Sequence, residues 1–155
     1  VDAATLARLR RFVPDERLLE WYGPFRHMRV RVLEAAEGWR RLRLLLPLNR
    51  RTRNLQGTVF GGAQAALADP VPALVCARLF PGLRVVTRDL ALDFEAPGTG
   101  DLELRFVLVR AAEEAIRTRL ARAGRARLTF GYGFYRRDGV CCTRVTNTVD
   151  LRPHA

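Results

Sequence analysis

Residues Asn54 to Phe80 read NLQGTVFGGAQAALADPVPALVCARLF. A polar loop enters the stretch, Gly61 and Gly62 stand at its turn, and a segment rich in Ala, Leu and Val runs on to Phe80 with a single acid, Asp69, in its middle. The pattern predicts a helix from Gly61 to Phe80 that is apolar on nearly every face, and such a helix is expected to be surrounded by protein. Pro70 and Pro72 lack an amide proton and crowd the carbonyl four residues back, so a kink or break is expected directly after Asp69. An ionised carboxylate in apolar surroundings costs free energy unless partners or water compensate, which makes Asp69 the residue to explain.

Upstream, residues 2–11 read as a short helix ended by Pro14, and Glu16 to Tyr22 as a second short helical or irregular piece that breaks at Gly23-Pro24. Trp21, Tyr22 and Phe25 form an aromatic lid over whatever lies beneath. From Arg26 the period changes to two: Met28, Val30 and Val32 alternate with Arg29 and Arg31. After a turn at Glu37-Gly38, Leu42, Leu44 and Leu46 alternate with Arg41 and Arg43, which reads as a hairpin with one buried and one basic face.

Downstream, residues 83–96 read as a long strand with Val86, Leu90, Leu92 and Phe94 on one face and Thr87, Asp89, Asp93 and Glu95 on the other. Strand 102–109 follows the turn at Pro97–Gly100, and Ala111 to Ala123 is a helix stopped by Gly124. The last hairpin turns at Asp138-Gly139 and returns from Val140 to Leu151. Gly131 and Gly133 leave one face of its first strand without side chains, open to close approach by a partner strand's side chains or by the central helix. Six strands around one nearly all-apolar helix make an α+β domain, an antiparallel sheet wrapped around a central helix. One domain over residues 1–155 is expected, with residues 1–25 as the lid and 26–151 as the core.

Composition narrows the chemistry. Apolar residues make up 48% of the chain, enough for a packed core and too many for a disordered one. The 27 basic residues are all arginine and the net charge is +11, which favours anionic partners and rules out Schiff-base chemistry on a lysine. The arginines are scattered over every element, with no recognition helix or aromatic RNA platform, and this argues against nucleic acid as the partner. Cys76, Cys141 and Cys142 lack the spacing of a disulfide framework or zinc site, and His27 and His154 are too few for a multi-His metal centre. With no signal-peptide pattern and no membrane span in the sequence, a cytoplasmic protein without metal is expected, with a carboxylate as its acid–base group.

The spacing of Asn54, Phe60-Gly61-Gly62, Asp69, Thr87, Asp89, Phe94 and Pro97 resembles the hotdog-fold acyl-CoA thioesterases, in particular the PaaI-like group related to phenylacetate-pathway enzymes. The similarity runs from Met28 to Leu151. Phe60 stands where that group has His, and Pro70 directly follows the acid. The resemblance implies a thioester hydrolase with no cofactor beyond the coenzyme A of its substrate, acting as a homodimer or homotetramer whose sheets pair and whose site lies between subunits. It also implies the site residues. The amides of Gly61 and Gly62 hold the carbonyl oxygen, Asp69 acts as general base or nucleophile, and Asn54 orients the thioester or the water. Thr87, reaching across from a second subunit, positions that water or the acid, and Phe60 and Arg88 contact the substrate. Arg50, Arg51, Arg53, Arg136 and Arg137 join Arg88 as candidates for the phosphates of coenzyme A, and Leu67, Leu74, Val75, Trp21 and Phe25 as candidate walls of an acyl tunnel. A non-catalytic protein that binds acyl-CoA or fatty acyl groups is the alternative reading, with Phe60 filling the place of the missing His and Asp69 structural.

Overall fold

The computed structural model describes residues 14–154; the helix expected over residues 2–11 lies outside the described residues. Two short helices, α1 (Asp15–Trp21) and α2 (Gly23–Met28), lead into β1 (Arg31–Ala36) and β2 (Arg41–Leu46). Then come α3 (Gly61–Ala68), α4 (Pro70–Leu79), β3 (Leu83–Phe94), β4 (Leu102–Val107), α5 (Arg110–Ala123), β5 (Ala126–Tyr135) and β6 (Cys141–Pro153). The strands form a single six-stranded sheet in the order β1-β2-β4-β5-β6-β3, with every neighbouring pair antiparallel. Its inner face wraps α3 and α4. Leu42, Leu44, Leu104, Phe134, Val149 and Leu151 from the strands and Leu67, Val71, Val75 and Cys76 from the helices are buried in one core.

The first strand starts later than its alternating pattern suggests. Residues 23–28 are helical because Pro24 supplies a pre-set helical φ at the first turn. Phe25 and Met28, three apart, bury the same helix face, and Arg29 ends the helix at φ 62°. The alternation of Met28 with Val30 therefore joins a helix face to a linker. At the hairpin turn Glu37, Gly38 and Trp39 all take positive φ (55°, 66° and 76°), a region that only glycine enters freely. Trp39 is held there by burial, with the Arg78 guanidinium 4.6 Å from its ring centre.

The central helix is interrupted where the prolines place the break. Asp69 separates α3 from α4 yet keeps helical torsions (φ −47°, ψ −55°), so what is lost at the break is hydrogen bonding rather than direction. The expectation that protein surrounds this helix on all sides is corrected. Gly62, Ala66, Asp69 and Ala77 form a solvent-exposed stripe, and alanine and glycine read as apolar in sequence without being large enough to require burial.

The face assignment within β3 is corrected as well. The register against β6 shifts between Thr87 and Asp89, so Arg88 is a bulge residue. A bulge inserts one residue and reverses the alternation on either side of it. Thr87 thus shares the helix-facing side with Leu90, Leu92 and Phe94, while Val86 lies opposite Asp150 on the other face. The glycine-bearing face of β5 also points away from the helices. Gly131 has open space where a Cβ would be, and a Cβ at Gly133 would meet the Thr143 carbonyl of β6 at 2.9 Å, so among the described residues a neighbouring strand's backbone makes the tightest approach there.

Candidate active site

The loop before α3 is built by Asn54. Its Oδ1 accepts from the amides of Gln56 and Thr58 (both 3.0 Å), and its Nδ2 donates to Thr58 Oγ1 at 2.9 Å. Asn54 therefore shapes the turn that delivers Phe60. The Phe60 amide donates to the Thr52 carbonyl at 2.9 Å, and its carbonyl accepts the amides of Ala63 and Gln64. The amides of Gly61 and Gly62, first in the helix, have no carbonyl four residues back. They stand at the positive end of the helix dipole.

Gln64 fixes this turn to the sheet. It is buried at 3% exposure, its Oε1 accepts from Thr143 Oγ1 of β6 at 2.5 Å, and its Nε2 donates to the Val59 carbonyl at 3.4 Å. Sequence spacing did not single out Gln64, because a lone glutamine among alanines carries no period. Its partner lies 79 residues on.

Two exposed aromatic rings cover the glycines. A Cβ added at Gly61 would lie 2.7 Å from Phe94 Cζ, and one at Gly62 would lie 2.3 Å from Phe60 Cε2. Phe60 and Phe94 are 39% and 55% exposed, large apolar groups left facing solvent at one spot.

Asp69 lies eight residues beyond Gly61, about 12 Å along a helix that rises about 1.5 Å per residue. Its side chain is exposed, and among the described residues its carboxylate makes no hydrogen bond or ion pair. The buried acid expected at the centre of the helix is therefore an acid at the surface of the protomer. Its backbone is the part that is held. Thr87 Oγ1 donates to the Asp69 carbonyl at 3.1 Å and Asn147 Nδ2 donates to it at 3.0 Å. Tyr132 Oη donates to the neighbouring Ala68 carbonyl at 2.8 Å and accepts from Asn147 Nδ2 at 3.1 Å. Burial pushes the Tyr132 phenol above its ordinary range, and the Asp69 charge adds to the rise, so the hydroxyl stays a donor. Within the chain, Thr87 is thus bonded to the backbone of its own Asp69.

The remaining sequence candidates divide. Arg88 stands on the β3 bulge beside Thr87, exposed and without a partner among the described residues. Arg136 is held by Asp138 (2.8 and 3.2 Å) and Arg51 donates to the His27 carbonyl at 2.9 Å, while Arg50, Arg53 and Arg137 are exposed. Leu67, Val75 and Phe25 are fully buried and Leu74 is partly so, which makes them core rather than the walls of an open channel within the protomer. Trp21 and Tyr22 are half exposed, with Tyr22 edge-on to Phe25 at 5.1 Å. A further group of arginines, Arg119, Arg122, Arg125, Arg127 and Arg152, lines a groove of about 460 Å³ with Asp150. Three separate elements and a loop bring them together, so no local pattern marks them. Among the described residues no cluster of three or more His, Cys, Asp or Glu could hold a metal ion, and no helix is long and apolar enough to cross a membrane.

Comparison with known proteins places this geometry in context. No curated protein sequence matches the chain. Among solved structures it is similar to a Pseudomonas aeruginosa protein of unknown function called a probable thioesterase, with a TM-score of 0.80 at 19% identity over 92% of this chain and 97% of that one. A thioesterase from Haemophilus influenzae aligns with a TM-score of 0.67 at 17% identity, over 88% and 87% of the two chains. A mutant of a thioesterase from Staphylococcus aureus aligns at 0.64 and 15% identity, over 88% and 99%. The model of a family described as a domain of unknown function, DUF4442, matches residues 17–150. The chain therefore belongs to the DUF4442 family, and its fold is the hotdog fold that it shares with these solved structures.

Proposed function

We propose that the protein hydrolyses acyl-CoA thioesters as a homodimer, with each site assembled from two protomers. One relationship carries this reading. Gly61 and Asp69 sit on one helix about 12 Å apart, whereas a reacting carbonyl must lie about 3 Å from both its oxyanion donors and its attacking group. One thioester cannot meet both within a single chain. A second copy that pairs along the edge strand β3 and the exposed stripe of Gly62, Ala66 and Asp69 brings the acid of one chain to the glycines of the other. β3 is suited to this, being a twelve-residue strand at the sheet edge that pairs on one side only, with β6, among the described residues.

In this arrangement the free amides of Gly61 and Gly62 donate to the developing oxyanion at a helix N-terminus. Asp69 of the partner chain either takes the proton from the attacking water, or attacks the carbonyl carbon to form a mixed anhydride that water then hydrolyses to regenerate the carboxylate. In both routes the C–S bond breaks and coenzyme A leaves as a thiolate that takes up the proton. Thr87 and Asn147 hold that acid's backbone, and Asn54 acts through the loop that it shapes. Phe60 and Phe94 rest against the acyl group, and Arg88 on the bulge is placed to meet a phosphate of coenzyme A.

The test is release of free thiol from a panel of acyl-CoAs by wild type and Asp69→Asn. Turnover that falls by about 1000-fold in the variant, the scale of losing a general base or nucleophile, supports the reading. Turnover that survives overturns Asp69. The Phe60 and Phe94 rings over the glycines favour a second reading, an acyl-CoA binding protein without turnover. Tight binding of intact acyl-CoA with no thiol released would select it.

A further inference from the structure

A helical carbonyl ordinarily accepts the amide four residues on. Pro72 has no such amide to give Ala68, whose carbonyl is thereby orphaned inside the core, where Ala68 is fully buried. A buried, unpaired carbonyl is costly, and an alanine at position 72 would have repaired it locally. The chain instead keeps the proline and brings in a tyrosine from β5. Tyr132 Oη donates to the Ala68 carbonyl at 2.8 Å. Asn147 of β6 then donates both to that hydroxyl and to the Asp69 carbonyl, and Thr87 of β3 donates to the same Asp69 carbonyl. Three strands thus place a polar group at one point on the inner face of the sheet, against two consecutive carbonyls at the helix break.

Asn147 is fully buried, and its Oδ1 has no hydrogen-bond partner among the described residues. An unsatisfied buried amide oxygen costs stability. The arrangement has one evident result: the backbone of Asp69 is pinned from within while its carboxylate faces out.

We infer that Tyr132 and Asn147 are positioning residues for Asp69, fixing the carboxylate by clamping the two carbonyls at the proline break. This inference rests on the proposed role of Asp69. Neither residue touches the substrate. Both act through the helix.

The experiment measures kcat and KM for an acyl-CoA with wild type, Tyr132→Phe, Asp69→Asn and the double variant, alongside thermal melting. Tyr132→Phe is expected to lower kcat about tenfold with KM little changed, less than the roughly 100-fold that a 1 Å misplacement can cost. In the Asp69→Asn background the same change should have no further effect. Losses that multiply would mean that Tyr132 acts elsewhere, and would overturn the inference while leaving Asp69 in place.

Pro72→Ala, which returns an amide to the Ala68 carbonyl, separates positioning from folding. Combined with Tyr132→Phe it should restore the melting temperature and leave kcat low. If kcat returns with stability, Tyr132 is structural only. Should wild type show no turnover at all, the proposed activity fails independently of the clamp, and the carboxyl carbon resonance of Asp69 then decides. It is expected to move in Tyr132→Phe while that of Asp138 stays, and an unmoved Asp69 resonance overturns the inference.

Discussion

Phe94 closes over Gly61. The tip of its ring occupies the space that any side chain at position 61 would need, 2.7 Å from where a Cβ would lie. The contact joins the end of the edge strand to the start of the central helix, the place at which the free helical amides emerge.

Gly61→Ala should therefore affect activity far more than folding. Alanine is the better helix former by about 1 kcal/mol, and the clashing group is the mobile end of an exposed ring. The melting temperature is expected to change by no more than a few degrees. Thiol release should fall at least about tenfold as the displaced ring and the new methyl crowd the amides. A variant that unfolds would mean that Phe94 is a packing residue rather than a cover.

Ala66→Arg tests the shared site. Ala66 lies on the exposed stripe of α3, where an arginine fits without disturbing the protomer. Wild type is expected to elute as a dimer in light-scattering chromatography and Ala66→Arg as a folded monomer without turnover. A monomeric wild type at micromolar concentration would sink the two-chain site.

The acid limb of stability should report on Glu113. This buried carboxylate pairs with Arg40 through Nε (2.6 Å) and Nη2 (2.9 Å) and with Arg117 Nη2 (2.7 Å), which hold it at about 2 against an ordinary value of 4.5. A carboxyl depressed by folding stabilises the native state above its unfolded pKa, and that stability is lost as pH falls from about 4.5 toward 2. Glu113→Gln should cost about 2 kcal/mol at pH 7, the scale of charge-assisted hydrogen bonds. In urea titrations the gap between variant and wild type should narrow between pH 4.5 and pH 2. A constant gap would show that the charge is not the source.

The thiols should separate by burial. Burial pushes Cys76 up to about 12 and raises Cys142 as well, while Cys141 is partly exposed at the start of β6. At pH 8 a disulfide reagent is expected to titrate Cys141 first and to reach Cys76 only on unfolding. Prompt labelling of Cys76 in the native protein would contradict the packing of α4 on the sheet.

Much of the fold is legible in the chain because it is set by local periods. Alternation at Leu42, Leu44 and Leu46, and again at Phe130, Tyr132 and Phe134, marks strands wherever their partners lie. Pro70 and Pro72 mark the helix break, and Asp138-Gly139 marks the hairpin turn. The misread segments are those where two local signals compete. The alternation of Met28 and Val30 lost to the helix started by Pro24, and the alternation through Thr87 lost to a bulge in the pairing of β3 with β6.

By itself the sequence determined most of the elements, the glycine turn and the broken helix, since each depends on residues within a few positions of one another. Only the tertiary structure decided that Asp69 faces out, that Thr87 turns toward its carbonyl, and that Tyr132 and Asn147, 64 and 78 residues from the carbonyls they hold, complete the break. Those outcomes come from strand register and from the need to satisfy buried carbonyls. Both are settled between distant segments, where no short stretch of sequence carries the information.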